Sequence, residues 1–165
     1  ATMTNKMFEL IEAAWLFGTK KLDAVIEPKS LVHALINFKD GSTTAHIANA
    51  SMQLPISYAI LGRVDCEILK PIDLLEISSL EFKKIEESRY PIWSLKDEIL
   101  NNLDLGVVLN AANEVAVSKF LSGKIGFLDI SKISLEAINR FNSLKASNIE
   151  DIFEIDKEVR RYFDS

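Results

Sequence analysis

The spacing of the apolar residues changes partway along this 165-residue chain, and that change restricts the folds available to it. Between residues 31 and 47 apolar and polar side chains alternate, which is the pattern of a strand with one covered face. After Pro91 the apolar residues recur at helical spacing, which indicates several amphipathic helices. The sequence therefore predicts an α+β fold, an incomplete α/β piece with a helix and a β-hairpin followed by a small α-helical bundle.

Cap and turn residues divide these patterns into elements. The first helix is predicted over Thr4–Phe17, with Thr4 as its N-cap and Gly18 as its stop. Asp40-Gly41 is a dipeptide typical of tight hairpin turns and joins the two predicted strands. The other predicted elements are a short buried strand over residues 22–28, a short helix over residues 54–61, and bundle helices over residues 95–102, 107–122, 130–141 and 149–163.

The chain is predicted to contain two folded parts joined by a linker. Residues 63–90 are rich in charge and lack a clear period, which is typical of a solvated connection. We therefore expect one part at residues 1–62, a linker at 63–90 and a helical domain at 91–165.

Composition excludes several classes of partner. The net charge of -5 gives no bulk attraction for nucleic acid or for an anionic membrane, and no apolar run is long enough to span a bilayer. Cys66 is the single cysteine, so an internal disulfide cannot form and a cytoplasmic location is predicted. Ala1 is not an initiator methionine, and the first residues already belong to a motif, so we expect a piece of a longer protein.

Three polar residues stand at the entrance of the first helix. Asn5 and Glu9 are four residues apart and share one helix face, and Lys6 lies next to them. A helix N-terminus favours phosphate, Lys6 adds a positive charge, and Glu9 offers oxygen to a hard cation such as Mg²⁺. The alternative is an ordinary exposed Lys–Glu pair, and spacing alone does not separate the two interpretations.

Three ordered blocks of the chain resemble one enzyme family. They are "ATMTNKMFELIEAAWLFG", "IEPKSLVHALINFKDGSTTAHIANASMQLPISYAI" and "VLNAANEVAVSKFLSGKIGFLDI". Together they are similar to the 1-deoxy-D-xylulose 5-phosphate reductoisomerases and cover roughly residues 1–61 and 107–130. The resemblance implies that residues 1–62 end a catalytic domain and that residues 91–165 form the family's C-terminal helical domain.

The resemblance also implies an activity and its cofactors. The family rearranges a phosphorylated ketose, 1-deoxy-D-xylulose 5-phosphate, with the help of Mg²⁺ or Mn²⁺, and reduces it with NADPH to 2-C-methyl-D-erythritol 4-phosphate for isoprenoid synthesis. By the same resemblance, Glu9 is a catalytic residue that binds both metal and substrate, and Asn5 and Lys6 bind the substrate. The family's Rossmann domain, its other two metal carboxylates and its lid would lie upstream, so this chain alone is predicted to be inactive.

Other residues match the family less directly. His33 matches a family histidine, and the resemblance implies that Met52 lies in a stretch near the nicotinamide, so both are predicted to line a pocket, with Ser30 nearby. Glu27 stands where the family usually has histidine, and His46 has no counterpart and is predicted at a surface or interface. The remaining expectations are core positions for Trp15 and Trp93 and hydrogen bonds inside the bundle for Asn110 and Asn113.

A second class of function stays open. The hairpin has free edges that could extend a sheet across a two-fold axis, and the family resemblance implies a homodimer. The alternative to an enzyme part is therefore a non-catalytic module for dimerisation or assembly. Binding of Mn²⁺ and a phosphorylated ketose that is lost in Lys6→Ala and Glu9→Gln would favour the enzyme.

Overall fold

The computed structural model describes residues 2–164, which form seven α-helices, one short 3₁₀ helix and one two-stranded sheet. The helices are α1 Thr4–Phe17, α2 Gln53–Leu61, α3 Leu74–Ile77, α4 Lys96–Asn101, α5 Leu105–Leu121, α6 Phe127–Phe141 and α7 Ile149–Asp164. The strands are β1 Val32–Asn37 and β2 Thr43–Ile47, and the 3₁₀ helix is Pro91–Leu95. None of the helices in this part of the chain has the length and apolar character needed to cross a bilayer.

The first of two compact units consists of Ala1–Ala24 and Ile85–Ser165. Helix α5 contacts both α6 and α7, and its small and branched side chains allow close approach. These buried α5 residues are Leu105, Val108, Leu109, Ala111, Ala112, Val115 and Ala116. The facing helices contribute Ile138 and Val159, both fully buried. The first unit is therefore a helical bundle with α5 in contact with both neighbours.

Helix α1 packs on this bundle through one narrow stripe. Met7, Leu10 and Ala14 are buried, and α1 contacts α4 and α5. A Cβ atom added at Gly106 of α5 would lie 3.3 Å from Ile11 Cδ1, so the glycine permits a close approach of the two helices. The compact units therefore follow different boundaries from the predicted domains, because α1 joins the C-terminal helices. The domain boundaries at 62 and 90 stay a prediction.

The second unit, Val25–Lys84, contains the hairpin, α2 and α3. Strands β1 and β2 pair antiparallel, with Leu35 opposite Ala45 and Ala34 opposite His46. The register shifts between Val32 and Ala34, so His33 occupies a β-bulge. The structure describes every residue of this unit, and none of their side chains is fully buried. The alternation in the hairpin therefore marks an apolar face that this chain leaves largely exposed.

Most predicted elements are present near their expected bounds. The ends of α1 agree with the prediction, and Gly18 and Gly62 end their helices in the left-handed conformation that glycine adopts most readily. The Asn148 side chain accepts a hydrogen bond from the Asp151 N–H and caps α7. The α+β class is confirmed, and so is the buried position of Trp93.

Several local predictions were wrong. Residues 22–28 do not form the predicted strand. They make a single bridge, Ile26 to Lys83, because the segment beside them pairs with them at that point alone. Thr4 is the first helical residue, and the N-cap is Met3 in a left-handed conformation. Trp15 is 67% exposed, since only the Met7 stripe of α1 faces the bundle. The 3₁₀ helix and α3 were not predicted, because both are too short to show a period.

Candidate functional site

The predicted polar trio forms a connected group on α1. The Asn5 side-chain amide donates a hydrogen bond to Glu9 Oε1 at 2.8 Å, and the Lys6 ammonium donates to Glu9 Oε2 and forms a salt bridge. The spacing explains both contacts, since residues three and four apart are neighbours on a helix. The carboxylate is therefore held between an amide and a cation on one helix face.

The trio is reachable from solvent. The Lys6 and Glu9 side chains are 41% and 47% exposed, whereas Thr4 and Met7 on the adjoining stripe are buried. An exposed ion pair of this kind contributes little stability, on the order of 0.3–0.5 kcal/mol for a helical pair. Stability alone therefore gives little reason for the three groups to be assembled here.

The start of α1 is suited to an anion. The N-cap residue, Met3, makes no side-chain cap hydrogen bond, and the first turn has no acidic residue. The Thr2 hydroxyl accepts a long, 3.4 Å hydrogen bond from the Thr4 N–H. The amides that follow in the first turn point along the helix axis, as at any helix N-terminus. The partial positive charge of this terminus and the Lys6 ammonium together favour a phosphate.

The carboxylate of Glu9 can contribute to a cation site but cannot complete one. Each of its oxygens accepts one hydrogen bond and keeps a second lone pair for another partner. Hard cations such as Mg²⁺ require several oxygen ligands. Within residues 2–164 no group of three or more His, Cys, Asp or Glu side chains is arranged to hold a metal ion. Glu9 fits the role of one ligand among several.

The second unit has a cavity of its own, with a volume of about 1190 Å³. His33 and Met52, the two predicted pocket residues, both line it, together with His46 and Tyr58. The His33 and His46 rings lie with centroids 6.2 Å apart. Most of the other lining side chains are apolar, so the cavity presents two imidazoles in an apolar setting.

His46 was predicted from the sequence to lie at a surface or interface, with no functional role. Regular alternation would put His33 on the opposite face of the sheet from Ala34 and its partner His46. The β-bulge at His33 changes that direction and brings both imidazoles to one cavity. No signal in the sequence alone identifies the bulge, so the pair could not have been predicted.

Glu27 organises the loop that leads into β1. Its carboxylate accepts hydrogen bonds from the Lys29 N–H at 2.8 Å and the Leu31 N–H at 2.7 Å. The bond from Leu31 is the main reason that the pKa of Glu27 lies below its usual value. Ser30, between these two donors, has a left-handed conformation with φ of 54°. Glu27 therefore stabilises a tight turn, and Ser30 is exposed on it.

The two asparagines of α5 differ from each other. Asn110 is exposed, so the predicted hydrogen bond inside the bundle does not apply to it. Asn113 is half-buried and borders a shallow surface groove with Glu114 and Ser118. The reason for the wrong prediction is the rotation of α5, whose buried face is formed by Leu109, Ala111 and Ala112 instead.

Comparison with known proteins points to one family. The model of the DXP reductoisomerase C-terminal domain matches residues 47–162. The 1-deoxy-D-xylulose 5-phosphate reductoisomerase of Nautilia profundicola is 54% identical over 165 residues, which are 100% of this chain and 45% of that protein. The reductoisomerase of Campylobacter hominis is 57% identical over 162 residues, covering 98% of this chain and 45% of the relative.

Solved structures give the same result. A 1-deoxy-D-xylulose 5-phosphate reductoisomerase from Zymomonas mobilis in complex with NADPH matches with a TM-score of 0.86 and 33% identity, over 99% of this chain and 44% of that one. A DOX-P reductoisomerase in complex with NADPH, fosmidomycin and magnesium matches with a TM-score of 0.89 and 32% identity, over 99% and 43%. The chain thus spans less than half the length of the proteins it matches.

Proposed function

This chain belongs to the 1-deoxy-D-xylulose 5-phosphate reductoisomerase family, and from that premise we propose that it is the C-terminal part of such an enzyme and supplies one side of the substrate site. The intact enzyme would convert 1-deoxy-D-xylulose 5-phosphate to 2-C-methyl-D-erythritol 4-phosphate, with NADPH as the reductant. Related solved structures contain NADPH and magnesium, which supports the same cofactors here.

The observation that carries the proposal is the Asn5–Lys6–Glu9 group beside an uncapped helix start. In the proposed function, the Lys6 ammonium and the first-turn amides of α1 bind the substrate phosphate. Lys6 has three donors on a flexible stem, so it can reach a phosphate while remaining near Glu9. The Asn5 amide can donate to and accept from substrate hydroxyls.

Glu9 would serve as one oxygen ligand to the divalent cation. Its carboxylate fits this role because each oxygen keeps a free lone pair and the side chain is accessible. When bound, Mg²⁺ or Mn²⁺ would act as a Lewis acid that stabilises negative charge developing on substrate oxygens. We propose that the other ligands belong to the intact enzyme outside this chain.

The cavity of the second unit is proposed to take part in the same reaction. Met52 would cover an apolar part of a bound substrate or of the nicotinamide, and His33 would border it. The Nε2–H of His33 donates to the Ala48 carbonyl at 3.0 Å, a contact that helps to orient the ring. The position of Met52 near the nicotinamide stays a prediction.

The test compares two glutamates of α1 in the full-length enzyme. Glu9→Gln keeps the size of the side chain but removes its charge, and we expect kcat/KM for NADPH oxidation with the ketose phosphate to fall by roughly 10²-fold or more. Glu12→Gln, at an exposed position on the same helix, is the matched control and should leave kcat/KM unchanged. A Glu9→Gln enzyme with the wild-type value would contradict the proposal.

A second role in assembly is favoured by the hairpin. Leu35, Ile36 and Phe38 are 43%, 55% and 51% exposed, and each strand of the two-stranded sheet has an unpaired edge. Such edges readily pair with another chain, so we propose that the hairpin contributes to a homodimer of the intact enzyme.

The cytoplasmic location and the inactivity of this chain alone also stay predictions. NADPH oxidation by the isolated chain above that of its Glu9→Gln variant would contradict the latter.

A further inference from the structure

A continuous series of hydrogen bonds connects the carboxylate of Glu27 to the ring of His33. The carboxylate accepts from the Leu31 N–H at 2.7 Å, and the Leu31 carbonyl accepts from the Ala48 N–H at 3.0 Å. The Ala48 carbonyl then accepts the 3.0 Å hydrogen bond from Nε2 of His33. Leu31 and Ala48 therefore link the carboxylate to the imidazole.

The turn that contains Glu27 is anchored to the rest of the second unit on both sides. Ile26, the residue before it, exchanges two backbone hydrogen bonds with Lys83, both of 2.8 Å. The Lys29 ammonium, two residues after it, donates to two backbone carbonyls at and just after the end of α3, at 2.8 and 2.9 Å. Because both flanks are held, the Glu27 carboxylate is a fixed point from which the start of β1 is positioned.

The last bond of the series determines which nitrogen of His33 is protonated. The Ala48 carbonyl can only accept, so Nε2 carries a proton, and in the neutral ring Nδ1 is the nitrogen left for another partner. His33 lies in the β-bulge and borders the cavity. Regular strand geometry does not set the direction of a bulged residue, so the Ala48 carbonyl is a main determinant of the ring's position.

A glutamate is the residue type that this turn requires. Its two oxygens accept from two different amides, that of Lys29 on Oε1 and that of Leu31 on Oε2. A glutamine has one acceptor oxygen and would place its NH₂ group against the second N–H. In either orientation of the glutamine amide, one N–H of the turn loses its acceptor. Glu27→Gln should therefore displace the turn with almost no change in side-chain size.

We propose that Glu27 is a positioning residue of the reductoisomerase reaction, which acts through Leu31 and Ala48 on the orientation and tautomer of His33. Glu27 itself touches neither substrate nor cofactor in this role. The inference rests on the proposed function, because it requires that His33 takes part in the reaction at the cavity.

The experiment is a double-mutant cycle in the full-length enzyme, with kcat/KM for NADPH oxidation with the ketose phosphate as the readout. Glu27→Gln alone should lower kcat/KM by roughly tenfold, because a small misplacement of a group at the reacting site slows the reaction. In a His33→Gln background the same change should alter kcat/KM by less than about twofold, since the side chain through which Glu27 acts is absent. Glu76→Gln, at an exposed position of α3, is the charge-matched control and should leave kcat/KM unchanged.

NMR of the imidazole nitrogens supplies a signature that a mere loss of stability would not change. The His33 signals are assigned by their absence in His33→Gln. The wild type should show a ring protonated at Nε2, and Glu27→Gln should show a mixture of the two neutral tautomers. Circular dichroism establishes that each variant is folded. If Glu27→Gln does not fold, Lys29→Met releases the same turn from α3 and should show the same dependence on His33.

Two results would overturn the proposal. One is wild-type kcat/KM in Glu27→Gln, and the other is an equal fold-loss from Glu27→Gln with and without the His33 side chain. Glu9→Gln separates these results from a failure of the proposed function. A loss in Glu9→Gln with none in Glu27→Gln would contradict the positioning role alone, whereas wild-type activity in Glu9→Gln would contradict the proposed function.

Discussion

Replacing Met7 by alanine should destabilise the helical unit more than any other single truncation on α1. Met7 is fully buried in the stripe that holds α1 against the bundle. Truncating a buried Met to Ala costs about 2–5 kcal/mol, which combines lost apolar burial with the cavity that remains. The higher helix propensity of alanine offsets only a few tenths of a kcal/mol. The free energy of unfolding should therefore fall by at least about 2 kcal/mol.

Urea unfolding followed by tryptophan fluorescence measures this change. Trp93 is buried in the first unit and changes its environment on unfolding, whereas Trp15 is already exposed. The matched control is Leu16→Ala on the same helix, where the side chain is 78% exposed and the expected change is within about 0.5 kcal/mol. Equal losses in the two variants would refute the packing of α1 on the bundle through the Met7 stripe.

Three further predictions concern other contacts of the first unit. Gly106→Val should cost about 1–3 kcal/mol of unfolding free energy because its side chain meets Ile11, and Ile11→Ala should restore part of that loss in the double variant. Asp129→Asn should destabilise the protein at pH 7, because the hydrogen bond from the Lys132 ammonium lowers the pKa of Asp129 in the fold. The stability difference between the wild type and the variant should vanish as the pH falls below 3.8 and through the lowered pKa of Asp129, and urea titrations at several pH values measure it. Arg160→Met should cost about 1 kcal/mol by removing two carboxylate contacts at 2.6 and 2.7 Å, and should make the measured stability less dependent on salt.

Regular patterns were the part of the fold that the sequence predicted well. The ends of α1 follow from a helical apolar stripe and from Gly18, and the hairpin follows from alternation around Asp40-Gly41. These signals are local, so they survive without knowledge of the rest of the fold. The short α3 and the single bridge at Ile26 carry no such signal, because they depend on neighbours distant in sequence.

The candidate site was predictable to the same extent. Helical spacing alone places Asn5 and Lys6 next to Glu9, and the structure has those contacts. Spacing could not reveal that α1 lacks a side-chain cap or that Trp15 faces solvent, since both depend on the direction of the chain before and around the helix. The pairing of His33 with His46 depends on a bulge, which alternation conceals.

The most direct test of the central claim is the affinity of the full-length enzyme for Mn²⁺ in the presence of the ketose phosphate, measured by electron paramagnetic resonance. The account predicts that Glu9→Gln weakens Mn²⁺ binding by roughly tenfold or more, while Glu12→Gln binds as the wild type does. Equal Mn²⁺ affinities in the wild type and Glu9→Gln would show that this carboxylate does not bind the metal.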